Sequence, residues 1–196
     1  MKKLIVLAVC VLLTALAAGN AAAEELRGRV ALNARFGLIN PSNSQMADRD
    51  GTLLVSTDPG IIGGGGLLFG VDDNIAIEID ITRSVFHTSG LGTAGITNLS
   101  MGGQYRLPER QRFVPYGGAG LDVLINDLSD KVVDTVVGAH LAVGVDYMLM
   151  RQVALNAEIK GVEAFSADVR DFGGAKIGEF DPSNFAFTVG ARFFFN

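Results

Sequence analysis

An all-β fold is predicted: an eight-stranded antiparallel transmembrane β-barrel with longer extracellular loops and short periplasmic turns. Three observations predict it. Eight segments alternate apolar and polar residues with period two. The connections between them are alternately long and short, as in barrels of the outer membrane. A secretory leader precedes them all.

The leader comes first in the chain. Lys2 and Lys3 form a basic start, Leu4 to Leu16 an apolar run, and Ala21-Ala22-Ala23 a cleavage site before Glu24. Residues 1–23 are expected to be removed, leaving 24–196 as one barrel domain. Cys10 leaves with the leader, so the mature chain has no thiol for a disulfide or a thiolate site. Without Lys2 and Lys3 the 16 basic residues fall to 14 against 21 acidic ones, a net charge of −7. An acidic chain without basic clusters excludes a nucleic-acid partner. No mature segment has the apolar length of a transmembrane helix.

The strands follow in order. The first spans Gly28 to Ile39, with Val30, Leu32, Ala34, Phe36 and Leu38 on one face. The second, Ile61 to Val71, opens on the glycine run Gly63 to Gly66. In the third, Ile75 to Phe86, isoleucines 75, 77, 79 and 81 alternate with Ala76, Glu78, Asp80 and Thr82. The fourth, Gly95 to Leu107, sets Thr97, Leu99, Met101 and Tyr105 against Asn98, Ser100, Gln104 and Arg106. The fifth, Phe113 to Ile125, opposes Ala119, Leu121, Val123 and Ile125 to Tyr116, Gly118, Gly120 and Asp122. The sixth, Val136 to Leu149, opposes Leu141, Val143, Val145 and Tyr147 to His140, Ala142, Gly144 and Asp146. The seventh, Val153 to Ala164, places Leu155, Ala157 and Ile159 opposite Asn156, Glu158 and Lys160. The eighth, Phe185 to Asn196, carries Phe185, Phe187, Val189, Phe193 and Phe195 on one face and Arg192 on the other. Successive side chains of a strand point to opposite faces, so each segment has one apolar face.

Cleavage of the leader starts the mature chain in the periplasm, so the first strand runs outward and the long connections fall outside the cell. The short turns, Asp72-Asp73-Asn74, Pro108 to Arg112 and Met150-Arg151-Gln152, carry turn chemistry. In hydrocarbon an open sheet edge is excluded, because each unpaired backbone group costs several kcal/mol, so the sheet must close. A soluble eight-stranded barrel shares the periodicity but turns its apolar face inward. The leader and the loop asymmetry decide for the membrane.

With apolar residues outward, the lumen receives Arg35, Glu78, Asp80, Arg106, Asp122, His140, Asp146, Glu158, Lys160 and Arg192. Charges in so narrow a space must be paired or hydrated. Counting from the turns pairs Glu158 with Arg192 and Glu78 with Arg106. An eight-stranded barrel holds side chains or one small ligand, which excludes a wide pore. His140 is a lone histidine and a poor metal site; no metal or cofactor is expected. His87 and Ser89 have the His-x-Ser spacing that resembles membrane-barrel lipid A deacylases, but no acidic residue in the fourth strand follows to orient the base, so no enzyme is expected. The run Gly63 to Gly66 is followed by no Lys-Ser/Thr and is no phosphate loop; it serves strand curvature or close approach of the first loop.

Several segments resemble the OmpW family of small outer-membrane barrels. Pro115-Tyr116-Gly117-Gly118-Ala119-Gly120-Leu121 is similar to its P-Y-x-G-A-G-L segment, and Gly144-Val145-Asp146-Tyr147 to its G-V-D-Y segment. Leu155 to Lys160 resembles its seventh strand, and Asp181-Pro182 with Gly190-Ala191-Arg192-Phe193 its final region. The resemblance covers the C-terminal half in order and the N-terminal half in architecture. It implies passive uptake or binding of small hydrophobic molecules through an apolar pocket, with lateral release into the membrane. Leu53, Leu54, Val55, Ile61, Ile62 and Phe86 are the candidate pocket residues. The alternative is a structural or adhesive barrel of OmpA or OmpX type, acting through its extracellular loops. The expected partners are outer-membrane lipid, lipopolysaccharide and small hydrophobic ligands. The phenylalanine-rich end of the eighth strand also resembles the signal read by barrel-assembly machinery. The expected location is the bacterial outer membrane.

Overall fold

The structure, a computed structural model, describes residues 26–48, 51–55, 57–88, 92–108, 112–128, 132–170, 173 and 176–195. The leader with Cys10, Ser89 and Asn196 lie outside the described residues, as do the side chains of Leu53, Leu54 and Val55.

Thirteen strands follow one another: β1 (Val30–Pro41), β2 (Ser44–Asp48), β3 (Gly51–Val55), β4 (Gly60–Gly70), β5 (Ile75–Thr88), β6 (Gly92–Arg106), β7 (Phe113–Leu128), β8 (Val132–Val133), β9 (Val136–Met150), β10 (Val153–Ala164), β11 (Ala167–Arg170), β12 (Lys176–Phe180) and β13 (Asn184–Phe195). Eight close an antiparallel barrel in the order β1-β13-β10-β9-β7-β6-β5-β4. These are the eight strands that the periodicity predicts. Their loop ends run further than expected: β5 reaches Thr88, β6 starts at Gly92, and β7 reaches Leu128. Several of the added residues, His87, Thr88, Thr93, Asn126 and Asp127, are polar and interrupt the apolar alternation. At the other end Gly28 is not strand but a turn. Its φ is +77°, its amide donates to Gly70 O at 2.9 Å, and Arg29 N donates to Leu26 O at 3.0 Å.

The remaining strands form a second sheet, β3-β2-β12-β11-β8, built from the first, third and fourth long connections. The sequence reading leaves these segments as loops. Each holds two to five residues, too few for period two to stand out.

The expected faces are present. Phe36 (68% exposed), Leu121 and Leu141 (both 71%) point outward with Leu32, Ile79, Ile81, Met101, Leu155, Phe187 and Phe193. Burying one such side chain stabilises by about 1.5–3 kcal/mol, so this band belongs against an apolar phase. The opposite parity lines the lumen in zones, which the cross-strand registers place from turn end to loop end. An apolar floor of Leu26, Ala31, Leu68, Ala76, Met148, Ala154 and Phe194 comes first. Charged residues fill the middle. An apolar roof follows, with Phe86, Ala94, Ile96, Leu124 and Val162 from the barrel, and Ala167, Val169 and Phe180 from β11, β12 and the second sheet above it.

Candidate functional site: a charged lumen beneath an apolar roof

Long side chains fill the middle zone because their neighbours are glycines. On β4, Gly64 and Gly66 share the inward parity of Leu68; a Cβ on Gly66 would lie 2.1 Å from Asp80 Oδ1. The glycine run thus makes room for a lumen carboxylate, where the sequence suggests strand curvature or close approach of the first loop. Gly144 similarly receives the Tyr116 ring, where a Cβ would lie 2.4 Å from the phenolic oxygen.

Arg192, wholly buried, spans the lumen. Its Nη1 donates to Asp146 Oδ2 at 2.8 Å and its Nη2 to Glu78 Oε1 at 2.9 Å. Arg35 donates to Glu158 Oε1 at 2.6 Å and to Glu78 Oε1 at 2.7 Å, and lies 2.9 Å from Asp80 Oδ2. Arg106 donates to Asp146 and Gln104 donates to Glu78. Tyr116 ties the layers together. Its hydroxyl donates to Glu158 Oε2 at 2.7 Å and accepts from Asn156 at 2.8 Å, while Arg106 and Arg192 lie over its ring at 5.4 and 4.8 Å. Asn33 donates to both Glu78 (2.7 Å) and Asp80 (3.0 Å). One layer higher, Asp122 holds His140 Nδ1 at 2.6 Å, Lys160 Nζ at 3.2 Å and Asn98 Nδ2 at 2.8 Å. Buried charges need this kind of multiple pairing to offset desolvation.

All ten lumen residues named from the sequence therefore face the interior, in two bonded groups: Arg35, Glu78, Asp80, Arg106, Asp146, Glu158 and Arg192 in one, Asp122, His140 and Lys160 in the other. Their pairing differs from the expectation. Glu158 bonds Arg35 and Tyr116 rather than Arg192, and Glu78 bonds Arg35 and Arg192 rather than Arg106. Register explains the first change: Arg192 faces Ala154 on β10, four residues from Glu158. Likewise Glu78 faces Gly102, four residues from Arg106. Tyr116, Asn33, Gln104 and Asn156 complete the network and were not named as site residues. Inward parity was the signal that could have found them.

Among the described pocket candidates, Phe86, Ile61 and Ile62 are not brought together. Phe86 is buried in the roof, its ring stacked on Phe180 at 6.4 Å and 6°. Ile61 points out of the barrel at 67% exposure, and Ile62 on the opposite parity is half-buried. One pocket cannot hold residues from both faces of β4. The residues in one buried apolar cluster with Phe86 include Ile96, Leu124, Val162, Val169 and Phe180. Two partly open pockets are small, ≈ 40 Å³ at the turn end between Leu26, Asp73, Pro108 and Phe194, and ≈ 10 Å³ in the lumen among Asp80, Glu158, His140 and Lys160. The second is about the size of one water molecule's core. His87 is exposed on β5, with Thr93 Oγ1 3.3 Å from its Nδ1. A hydroxyl there does not serve as the orienting carboxylate of a catalytic histidine.

A family profile described as outer membrane protein beta-barrel domain matches residues 8–193. The chain belongs to this outer-membrane β-barrel family. Members reside in the outer membrane of Gram-negative bacteria, and so does this barrel. No curated protein matches it. Among solved structures the barrel is similar to the outer membrane protein OprG from Pseudomonas aeruginosa, with a TM-score of 0.70 and 16% identity over 87% of this chain and 97% of that one. Neisserial surface protein A aligns with a TM-score of 0.61 and 15% identity, over 85% of this chain and 99% of its own. The outer membrane protein AlkL aligns with a TM-score of 0.60 and 15% identity, over 91% and 94%. At these identities the likeness shows the fold of the outer-membrane β-barrel family.

Proposed function

We propose that this outer-membrane barrel binds small hydrophobic molecules at its loop end and releases them sideways into the membrane, without chemistry. One observation carries the reading: the lumen changes from an apolar cluster, Phe86, Leu124, Val162 and Phe180, to a zone of interlocked charges below it. An apolar molecule gains by leaving water for this apolar zone and loses by going on into the charged zone. Passage straight to the periplasm is thereby opposed, and the wall is the remaining way out. The OmpW resemblance of strands β7, β9, β10 and β13 supports the same activity. The outward orientation of the long connections and contact with lipopolysaccharide belong to this proposal. Vesicle uptake of a hydrophobic dye tests it; equal uptake with and without the protein removes the transport role.

A second reading has an observation of its own. The sheet β3-β2-β12-β11-β8 stands beyond the barrel as an ordered platform, the kind of surface a structural or adhesive barrel presents. Replacing residues 42–59 by a short turn separates the two. Loss of cell or surface adhesion with unchanged dye uptake would favour the platform.

A further inference from the structure

The outward face of the barrel is nearly free of charge. Among the described outward positions of the eight barrel strands, only Arg83 on β5, Asp127 on β7 and Glu163 on β10 carry a formal charge. Glu163 is next to last in its strand. Arg83 and Asp127 meet each other. Arg83 lies five residues short of the loop end of β5, between the exposed Ile81 and Val85. A cation on a lipid-facing wall is costly at the midplane and tolerated near the interfaces.

The cross-strand registers place its side chain. Arg83 pairs with Thr97, Val85 with Gly95, and Gly95 with Asp127. The guanidinium therefore runs along the wall towards the loop end, over β6 to β7. Its Nη1 donates to Thr97 Oγ1 at 2.8 Å and meets Asp127 Oδ2 at 2.6 Å. Gly95 is its seat: a Cβ there would lie 2.6 Å from Nη2 and 3.0 Å from Cζ. Any side chain at position 95 pushes the guanidinium off the wall.

A strap across three strands would use the whole guanidinium, and here only Nη1 is engaged. Nε and Nη2 have no hydrogen-bond partner among the described residues, and the side chain is 46% exposed. Two adjacent guanidinium nitrogens form the fork that takes an anionic oxygen pair by parallel hydrogen bonds. The surroundings are graded along the strands. Towards the turn end lies the exposed apolar row Ile81, Leu99 and Val123. Towards the loop end lies the exposed pair His87 and Thr93, with Thr93 Oγ1 3.3 Å from His87 Nδ1. Apolar wall, cation, then imidazole and hydroxyl match the acyl chains, phosphate and sugar hydroxyls of a phosphorylated glycolipid in that order.

We propose that Arg83, seated on Gly95 and held by Thr97 and Asp127, docks a phosphate of lipid A, the phosphorylated glycolipid at the base of lipopolysaccharide, on the outer face of the wall. The acyl chains lie along Ile81, Leu99 and Val123. A phospholipid shares the phosphate but brings no sugar to His87 and Thr93. The site rests on the outward orientation of the loop end in the proposed function, and not on uptake.

Native mass spectrometry of the whole mature protein in detergent measures the bound lipid. The probes are bis-phosphorylated lipid A, the same lipid with both phosphates removed, and phosphatidylglycerol. The parent protein is expected to bind the first about tenfold or more tightly than either of the others. Arg83→Gln is expected to erase most of that preference. Gly95→Ala keeps the charge but unseats the guanidinium, and is expected to weaken lipid A binding about threefold or more. Glu163→Gln is expected to stay within about twofold of the parent. Lipid A bound no better than the other two lipids overturns the site, and so does equal binding by the parent and Arg83→Gln. A loss with Arg83→Gln and none with Gly95→Ala overturns the seat in favour of a diffuse charge. Orientation has its own readout, because the mature chain has no cysteine and Asp58 is exposed at the loop end. A membrane-impermeant maleimide is expected to label Asp58→Cys on whole cells; no labelling overturns the orientation, and lipid A as the partner with it. Equal dye uptake with and without the protein removes the transport role and leaves this site standing.

Discussion

Arg192 and Glu78 stand 114 positions apart in the chain and 2.9 Å apart in the lumen. The contact crosses the barrel from β13 to β5, strands that are not neighbours. Arg192 also holds Asp146 at 2.8 Å, so Arg192→Ala leaves two buried carboxylates short of a partner. Breaking a buried pair from one side costs about 3–5 kcal/mol. That loss is expected in urea unfolding of the barrel in lipid vesicles. Arg192→Lys is expected to restore less than about half of it, because a point ammonium does not reproduce the guanidinium fork. A loss under about 1 kcal/mol for the alanine variant contradicts the account.

Two glycines, one on each face of the wall, make a paired test of how tightly the lumen is filled. A Cβ on Gly66 meets Asp80 Oδ1 and Ile79 O, both at 2.1 Å, whereas a Cβ on Gly103 meets nothing within 4 Å. Gly66→Ala is expected to destabilise by about 1–3 kcal/mol, as overpacking does. Gly103→Ala is expected to stay within about 0.5 kcal/mol of the parent. Equal unfolding midpoints for the two would show that the charged zone yields readily to an added methyl.

The strand count, the outward face and the inward charges were legible because period two is a local property. Ile75 to Ile81 announces a strand with two unlike faces without reference to any other segment. The partners of Arg192 were not legible. A side chain that spans a narrow barrel chooses among opposite strands, and counting from turns ranks only adjacent ones. The register error of four residues between Glu158 and Arg192 has another source, since these strands are adjacent and their stagger is not given by counting from the turns. The second sheet was invisible for another reason: Val132-Val133 or Lys176 to Phe180 takes its conformation from neighbours far along the chain. Phe86 is one of the six candidates named from the sequence, and its neighbours Leu124, Val162 and Phe180 meet it only when the barrel closes.

The outward face gives a depth-dependent prediction. Leu141 lies near the middle of β9 and is 71% exposed. Leu141→Arg is expected to cost about 2–4 kcal/mol of folding free energy in bilayers, the penalty for a cation at the lipid midplane. Leu38→Arg, three residues from the loop end of β1, is expected to cost about 0–1 kcal/mol. Equal costs at both positions would place the apolar band against something other than lipid.

Dye binding at the apolar roof can be read out by fluorescence, because the chain contains no tryptophan. Phe180→Trp puts a single indole against Phe86, in the roof of the lumen. Phe36→Trp puts it on the lipid face instead, where Phe36 is 68% exposed. A naphthylamine dye that binds at the roof accepts energy from the indole at 180 and quenches it at saturable, low dye concentration. A dye that merely dissolves in the detergent belt or the bilayer quenches the indole at 36 and does so without saturation. Placing Trp in a packed site costs about 1–3 kcal/mol, which a barrel closed on all eight seams is expected to tolerate. Saturable quenching at 180 with weak, linear quenching at 36 is the expected pattern. The reverse pattern would locate the dye in lipid and leave the apolar roof as packing for the second sheet. Adding Leu124→Arg to the Phe180→Trp protein brings a charge into the same apolar space and is expected to abolish the saturable component, since burying an unpaired charge there opposes an apolar guest.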